Sequence, residues 1–250
     1  LILRKKMKDK LTKELKRIIS AYEDLVKGID RSAKEKEKLE GRAYGGILRA
    51  GKGKLVESIA KELFRIAWED LGNDENRLKF RNGKIRIPIK DVKKYVQRLK
   101  NHEVRKYILK NSNEMFYEIK PDIQVYIDNR FKVYIECKAY TEVAMLKRIL
   151  VDCTLVKHIY PDVKFLLFQL ESQLGGDYSK IYKKVNVGSP SVHTLLSYFD
   201  IDLNIITLLR GERKVDEPIH KEKFFKPLEL KSLKKAIEII KELLIALSNK

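Results

Sequence analysis

The sequence predicts a mixed α/β fold: a β-sheet flanked by helices, preceded by a helical N-terminal arm. Three observations lead there. Two stretches of alternating apolar residues flank a turn near mid-chain, two largely apolar runs of strand length follow, and helical periodicity surrounds them.

At the N-terminus, Leu11, Leu15, Ile18, Ile19, Tyr22 and Leu25 recur at three- and four-residue intervals, an amphipathic stripe that must pack against something. From Arg31 to Arg42 the chain is nearly all charge, a solvated helix face or a contact to a polyanion. Gly41, Gly45, Gly46, Gly51 and Gly53 then predict a flexible connection, dividing an arm over residues 1–45 from a main body over 46–250. An amphipathic helix is expected from Leu55 to Leu71, stopped by Gly72-Asn73-Asp74. The basic stretch from Arg77 to Lys110, interrupted by Pro88, reads as irregular or short-helical.

Beyond Met115 the pattern changes. Ile123, Val125 and Ile127 alternate, Asp128-Asn129-Arg130 is turn chemistry, and Val133, Ile135 and Cys137 alternate again, which predicts a hairpin. A helix over Thr141–His158 turns Val143, Leu146, Ile149, Leu150, Cys153 and Val156 inward and ends at Pro161-Asp162. Val163–Gln169 is apolar enough for a strand covered on both faces. Ser189-Pro190 opens a helix reaching Phe199, Leu203–Leu209 is a second buried strand, and Leu230–Leu247 is a C-terminal amphipathic helix.

Composition narrows the function. The 250 residues can bury a sizeable core, and 54 Lys and Arg against 35 Asp and Glu give a net charge of +19, a surface suited to polyanions. With 44% hydrophobic residues the chain is no disordered basic tail. No run approaches the ~18 apolar residues of a membrane span, so no membrane partner is expected. The charged start lacks the apolar core of a secretory signal, and Cys137 and Cys153 lie in apolar segments; a reducing, cytoplasmic setting is expected.

On so basic a chain, acidic residues placed on strands stand out. Asp122 opens the first hairpin strand behind Pro121, and Glu136 and Lys138 end the second. Alternation projects Glu136 and Lys138 from one face and Cys137 from the other, and antiparallel pairing can bring Asp122 close. Two carboxylates and an ammonium in one place suit phosphodiester hydrolysis. Asp122 and Glu136, with the backbone carbonyl of Cys137, offer hard oxygen ligands for Mg²⁺, while Lys138 can orient a water and offset charge in the transition state.

Acidic-x-Lys triplets are common here: Glu14/Lys16, Asp91/Lys93, Glu118/Lys120, Asp162/Lys164, Glu212/Lys214 and Glu229/Lys231 also fit. Glu136/Lys138 differs in ending an apolar strand fourteen residues after a Pro-Asp pair on the partner strand. Pro121-Asp122, a hairpin, then Glu136-Cys137-Lys138, with a helix and a buried strand behind, resembles the PD-(D/E)xK nuclease superfamily over about residues 115–170. The length, charge and layout are most similar to a type II restriction endonuclease. The resemblance implies a restriction endonuclease-like core over about 115–210 and catalytic residues Asp122, Glu136 and Lys138. It also implies Mg²⁺ as cofactor and sequence-specific cleavage of double-stranded DNA leaving 5′-phosphate ends. In many such nucleases a helix before the core carries an acidic residue that assists metal binding; Glu57 is the candidate, although it can equally pair with Lys61 at i+4.

Candidate DNA contacts are Lys52, Lys54, Arg77, Arg105, Lys106, Lys147, Arg148, Lys180 and Arg210. A palindromic site would call for a homodimer, joined through the N- or C-terminal amphipathic helix. A repair or Holliday-junction nuclease and a non-catalytic DNA-binding module are the alternatives. Other signals fall short. Gly46–Lys52 matches GxxxxGK, but Gly53 stands where a Ser or Thr should bind Mg²⁺. Pro161-Asp162 has no Lys to complete it, Glu171 is an outside candidate near the sheet's active edge, and the four histidines are scattered.

Overall fold

The computed structural model describes the backbone of residues 2–36, 41–179 and 189–248, and side chains over 9–28, 51–179 and 189–247. Helices α1 (Ile2–Lys36) and α2 (Gly41–Asp70) lead into strands β1 (Leu78–Arg81) and β2 (Ile85–Pro88), then helices α3 (Val92–Gln97) and α4 (His102–Asn111). Strands β3 (Phe116–Ile119), β4 (Ile123–Ile127) and β5 (Arg130–Glu142) follow, then α5 (Val143–Ile159) and β6 (Lys164–Gln173). Helix α6 (Pro190–Ser197), β7 (Leu203–Thr207) and α7 (Leu230–Ser248) complete the order.

The main sheet runs β1-β4-β5-β6-β7, antiparallel from β1 to β5 and parallel from β5 to β7. Strands β2 and β3 pair separately. The mixed sheet with helices on both faces is the expected class. One face packs Ile123, Val125, Ile135, Cys137, Leu166 and Phe168 against α1, α2 and α7. The opposite face packs Tyr134, Phe165 and Leu167 against α5, α6 and the small β2–β3 ribbon. Buried on both faces, β6 reads as a largely apolar run in its sequence, interrupted by Gln169 and Glu171.

Three expectations need correction. The glycine-rich stretch after residue 41 is helical: α2 begins at Gly41, so the boundary expected at residue 45 falls within a helix. Each interior glycine costs about 1 kcal/mol against alanine, but propagation from the buried segment Leu55–Trp68 needs no new nucleus. Second, the basic stretch after Arg77 contains β1 and β2, too short and too charged to show an alternating pattern, as well as α3 and α4. Third, the apolar stripes of the terminal helices are not left open for a second copy. Leu15, Ile18, Tyr22 and Val26 of α1 and Leu233, Ile237, Ile240 and Leu244 of α7 are buried in one shared core. Their stripes are used within the chain. Among the described residues no helix is long and apolar enough to cross a membrane, and Cys137 and Cys153 are free thiols buried on opposite faces of the sheet.

Candidate active site

The hairpin's register builds the site. Asp128 and Asn129 take positive φ of 51° and 62°, the left-handed pair that a two-residue turn needs to match strand twist. Ile127 faces Arg130 and Tyr126 faces Phe131, but a bulge then shifts the pairing so that Val125 faces Val133 and Ile123 faces Ile135. One residue of slip exchanges the faces of a strand. Because of it the odd residues of β5 share the core side with Ile123, and Glu136 and Lys138 stand on the side of Asp122.

There the three side chains meet. Lys138 Nζ donates to Asp122 Oδ2 at 2.8 Å and to Glu136 Oε2 at 2.6 Å. The backbone N–H of Cys137 donates to Asp122 Oδ2 at 2.7 Å, and the buried Tyr134 hydroxyl donates to Glu136 Oε1 at 2.7 Å. Burial pushes the Glu136 carboxyl above its usual range and Asp122 adds to the push, against the pull of Lys138. Burial alone would lower Lys138, but the charges of Glu136 and Asp122 outweigh it and hold the ammonium above its usual value. Burial likewise raises the Cys137 thiol, which leaves its backbone, not its sulfur, available to the site.

Two carboxylates converging on one cation position are a hard-oxygen donor set. Among the described residues no group of three or more His, Cys, Asp or Glu side chains is arranged to hold a metal. A pair of carboxylates fits Mg²⁺, which keeps several waters and takes substrate oxygens for the rest. Asp122, Glu136 and the Cys137 carbonyl are the groups that would hold it.

Glu57 lies on α2, partly exposed and 4.0 Å from Lys61, and its charge reaches the Cys137 thiol, on the face of β5 opposite Glu136 and Lys138. The i+4 ion pair with Lys61 is thus present. Glu171 is buried and ion-paired with Lys226 at 2.8 Å. Pro161-Asp162 forms the exposed turn between α5 and β6. Of the candidate DNA contacts, Lys54 and Lys147 are exposed, while Lys106 pairs with Glu103, Arg148 with Asp152 and Arg210 with Glu229. Arg105 donates to the Leu99 carbonyl, and Lys52 is part-buried beside His220. Arg77 grips Asp128 with two hydrogen bonds of 2.8 and 2.7 Å at the turn, the end of the hairpin opposite Asp122. Lys180 lies outside the described residues.

Three site residues escaped sequence reasoning. Tyr134 shares the face of Glu136 and Lys138 by the same alternation, so the signal was present. Asp152 sits among Ile149, Leu150, Cys153 and Val156 on the buried side of α5. Burial raises its carboxyl against the pull of Arg148, and its charge acts on Tyr134 and Lys138. Gln169, opposite Lys138 on β6, is fully buried, and its Nε2 donates to Thr207 Oγ1 at 2.9 Å. Its Oε1 has no hydrogen-bond partner. A lone polar residue inside an apolar run was the clue for each of the last two.

No family model matches the chain. Among solved structures, one chain of the native BbvCI A2B2 tetramer aligns over 97% of this chain and 92% of its own length, at 12% identity and a TM-score of 0.35, too slight a likeness to carry weight. A curated relative is much nearer: the type II restriction enzyme DdeI of Desulfomicrobium norvegicum is 45% identical over 238 residues, which span 94% of this chain and 98% of that enzyme. Identity of that extent leaves no long segment of either protein unmatched, and on it this chain belongs to the family of the type II restriction enzyme DdeI.

Proposed function

We propose that the protein is a Mg²⁺-dependent, sequence-specific endonuclease of double-stranded DNA, with its reaction centre at Asp122, Glu136 and Lys138. The observation that carries this reading is the convergence of two carboxylates and an ammonium within 2.6–2.8 Å at the end of a basic protein's central hairpin. The near full-length likeness to a type II restriction enzyme supports it, as does the Pro-Asp…Glu-x-Lys pattern of the PD-(D/E)xK superfamily.

In the reaction, water attacks the phosphorus, the bond to the 3′ oxygen breaks, and that oxygen leaves as a hydroxyl while the phosphate stays on the 5′ end. Mg²⁺ bound by Asp122, Glu136 and the Cys137 carbonyl would supply positive charge against the phosphate. Lys138 can donate to the attacking water or to a phosphate oxygen and offset the charge that grows there. Tyr134 holds one oxygen of Glu136 while Lys138 takes the other, which fixes the carboxylate's plane. Glu57, on α2, is the accessory acid of this reading. Exposed Lys and Arg, with Lys54 and Lys147 among them, would grip the duplex. If the recognition site is a palindrome, two copies of the chain act on it.

Plasmid digestion tests the reading. Discrete fragments with 5′-phosphate ends are expected with Mg²⁺ and none with a chelator. Asp122→Ala and Lys138→Ala should each abolish cleavage while retaining most DNA binding. Cutting confined to branched or damaged DNA, or salt-sensitive binding with no metal-dependent cleavage, would replace it with a repair nuclease or a binding module respectively.

A further inference from the structure

Beyond Lys138, charge is out of balance. Helix α2 brings Lys52, β5 brings Tyr140, β6 brings Glu171, and the segment between β7 and α7 brings Arg213, His220 and Lys226. Glu171 is 4% exposed and holds Lys226 at 2.8 Å. The Arg213 guanidinium lies over the Tyr140 ring, its carbon 3.8 Å from the centroid, and bonds the Gln173 side chain. The Arg213 backbone N–H donates to the Ser172 carbonyl at 2.7 Å, which ties this segment to the end of β6. Lys52 Nζ is 3.3 Å from His220 Nδ1 and feels both Glu171 and Arg213. The neighbouring Glu212 carboxylate accepts from the Gly175 N–H at 2.9 Å.

Lys52 and Lys226 thus share the field of the buried Glu171 carboxylate, which Lys226 occupies, and Arg213 adds a third positive charge against the two carboxylates Glu171 and Glu212. Burial pulls Lys52 below the usual lysine range against the charge of Glu171, and the nearby Arg213 adds to the pull, so its charge is partly stripped of water. A half-buried surplus of this kind favours an anion. Lys supplies a compact point charge and Arg a planar fork of donors, the pair of chemistries suited to phosphate oxygens, and the Tyr140 ring sets the plane of the fork.

Location identifies the anion. In the parallel pair, Lys138 faces Gln169 and Tyr140 faces Glu171. Tyr140 therefore stands two residues past Lys138, about 6.6 Å further along the strand. We propose that Lys52 and Arg213, the latter braced on Tyr140, form a binding site for a backbone phosphate of the DNA strand next to the phosphate that is cut. This site rests on the endonuclease reading and locates part of its grip.

The test is duplex binding across a salt series with Ca²⁺ in place of Mg²⁺, on a fragment the wild type cuts and one it does not. Lys52→Gln and Arg213→Gln should each weaken binding about tenfold, equally on both fragments. The double variant's plot of log affinity against log salt should be shallower by about 1, roughly a fourfold smaller loss between 50 and 200 mM salt. Lys52→Arg, which keeps the charge, should keep the wild-type affinity and slope. A melting transition near that of the wild type in each single variant separates lost contact from lost fold, so either alone can decide the matter. Wild-type affinity and slope in folded Lys52→Gln and Arg213→Gln would overturn the site. A wild-type protein that bound neither duplex would undo the endonuclease reading itself.

Discussion

Tyr134 shows how much one hydroxyl can govern. It spends its only donor on Glu136 Oε1, in a place without solvent to substitute for it. Tyr134→Phe removes that oxygen and little else, leaving a carboxylate oxygen short of a partner. A stability loss of about 1–3 kcal/mol is expected, read from the denaturant midpoint without metal. The Mg²⁺ concentration for half-maximal cleavage should rise about tenfold or more, because a carboxylate free to rotate is a poorer ligand. An unchanged Mg²⁺ requirement in a folded variant would deny Tyr134 its orienting part. The triad itself was legible in the sequence, since a Pro-Asp pair, a hairpin and Glu-x-Lys place like chemistry on one face by alternation alone. Asp152 and Gln169 were not, because polarity inside an apolar segment reveals that a residue is unusual but not which atoms it meets.

The β4–β5 hairpin couples its turn to its chemistry. Two residues in the left-handed region set the starting register, the bulge between Val125 and Tyr126 corrects it, and the correction turns Glu136 toward Asp122. The turn is braced from outside by Arg77 on Asp128, whose carboxyl is held below its usual value near 3.8 by the arginine's hydrogen bonds. A carboxylate with a depressed folded value adds stability above its unfolded pKa and loses it as pH falls through the folded one. Asp128→Asn, which tolerates the same backbone, should therefore be less stable than wild type at neutral pH and equal to it in acid below the ordinary aspartate range. Denaturant midpoints across pH check this; a gap that persists in strong acid would contradict it. In α2, Leu63 is fully buried in the core that α1 and α7 share. Leu63→Ala should cost about 2–5 kcal/mol of stability, measured by denaturation. These helices were legible from their stripes, but the strands β1 and β2 were not. Four residues each, with Lys79, Arg81 and Arg86 among them, give no reliable period, and only pairing with β4 and β3 makes them strands.

At the scale of the whole molecule, a net charge of +19 coexists with a small negative centre around Asp122 and Glu136. The excess should make duplex binding steeply salt-dependent, and neutralising any one outlying lysine should weaken all sequences alike. With the apolar stripes of α1 and α7 buried in their own core, those stripes are not open to a second copy; sedimentation with and without a cut-site duplex would show whether two copies assemble. The sequence by itself determined the sheet-and-helix class, the hairpin, the face shared by Glu136 and Lys138, and the basic surface, because periodicity and charge are local properties of a chain. Tertiary structure alone decided that the glycine-rich segment continues α2 and that the terminal stripes are spent inside the molecule. It also decided that a one-residue bulge aligns Asp122 with Glu136, and that Arg213 lies over Tyr140, two residues past Lys138. Those outcomes depend on which distant segments compete for the same buried surface, and no local pattern records that competition.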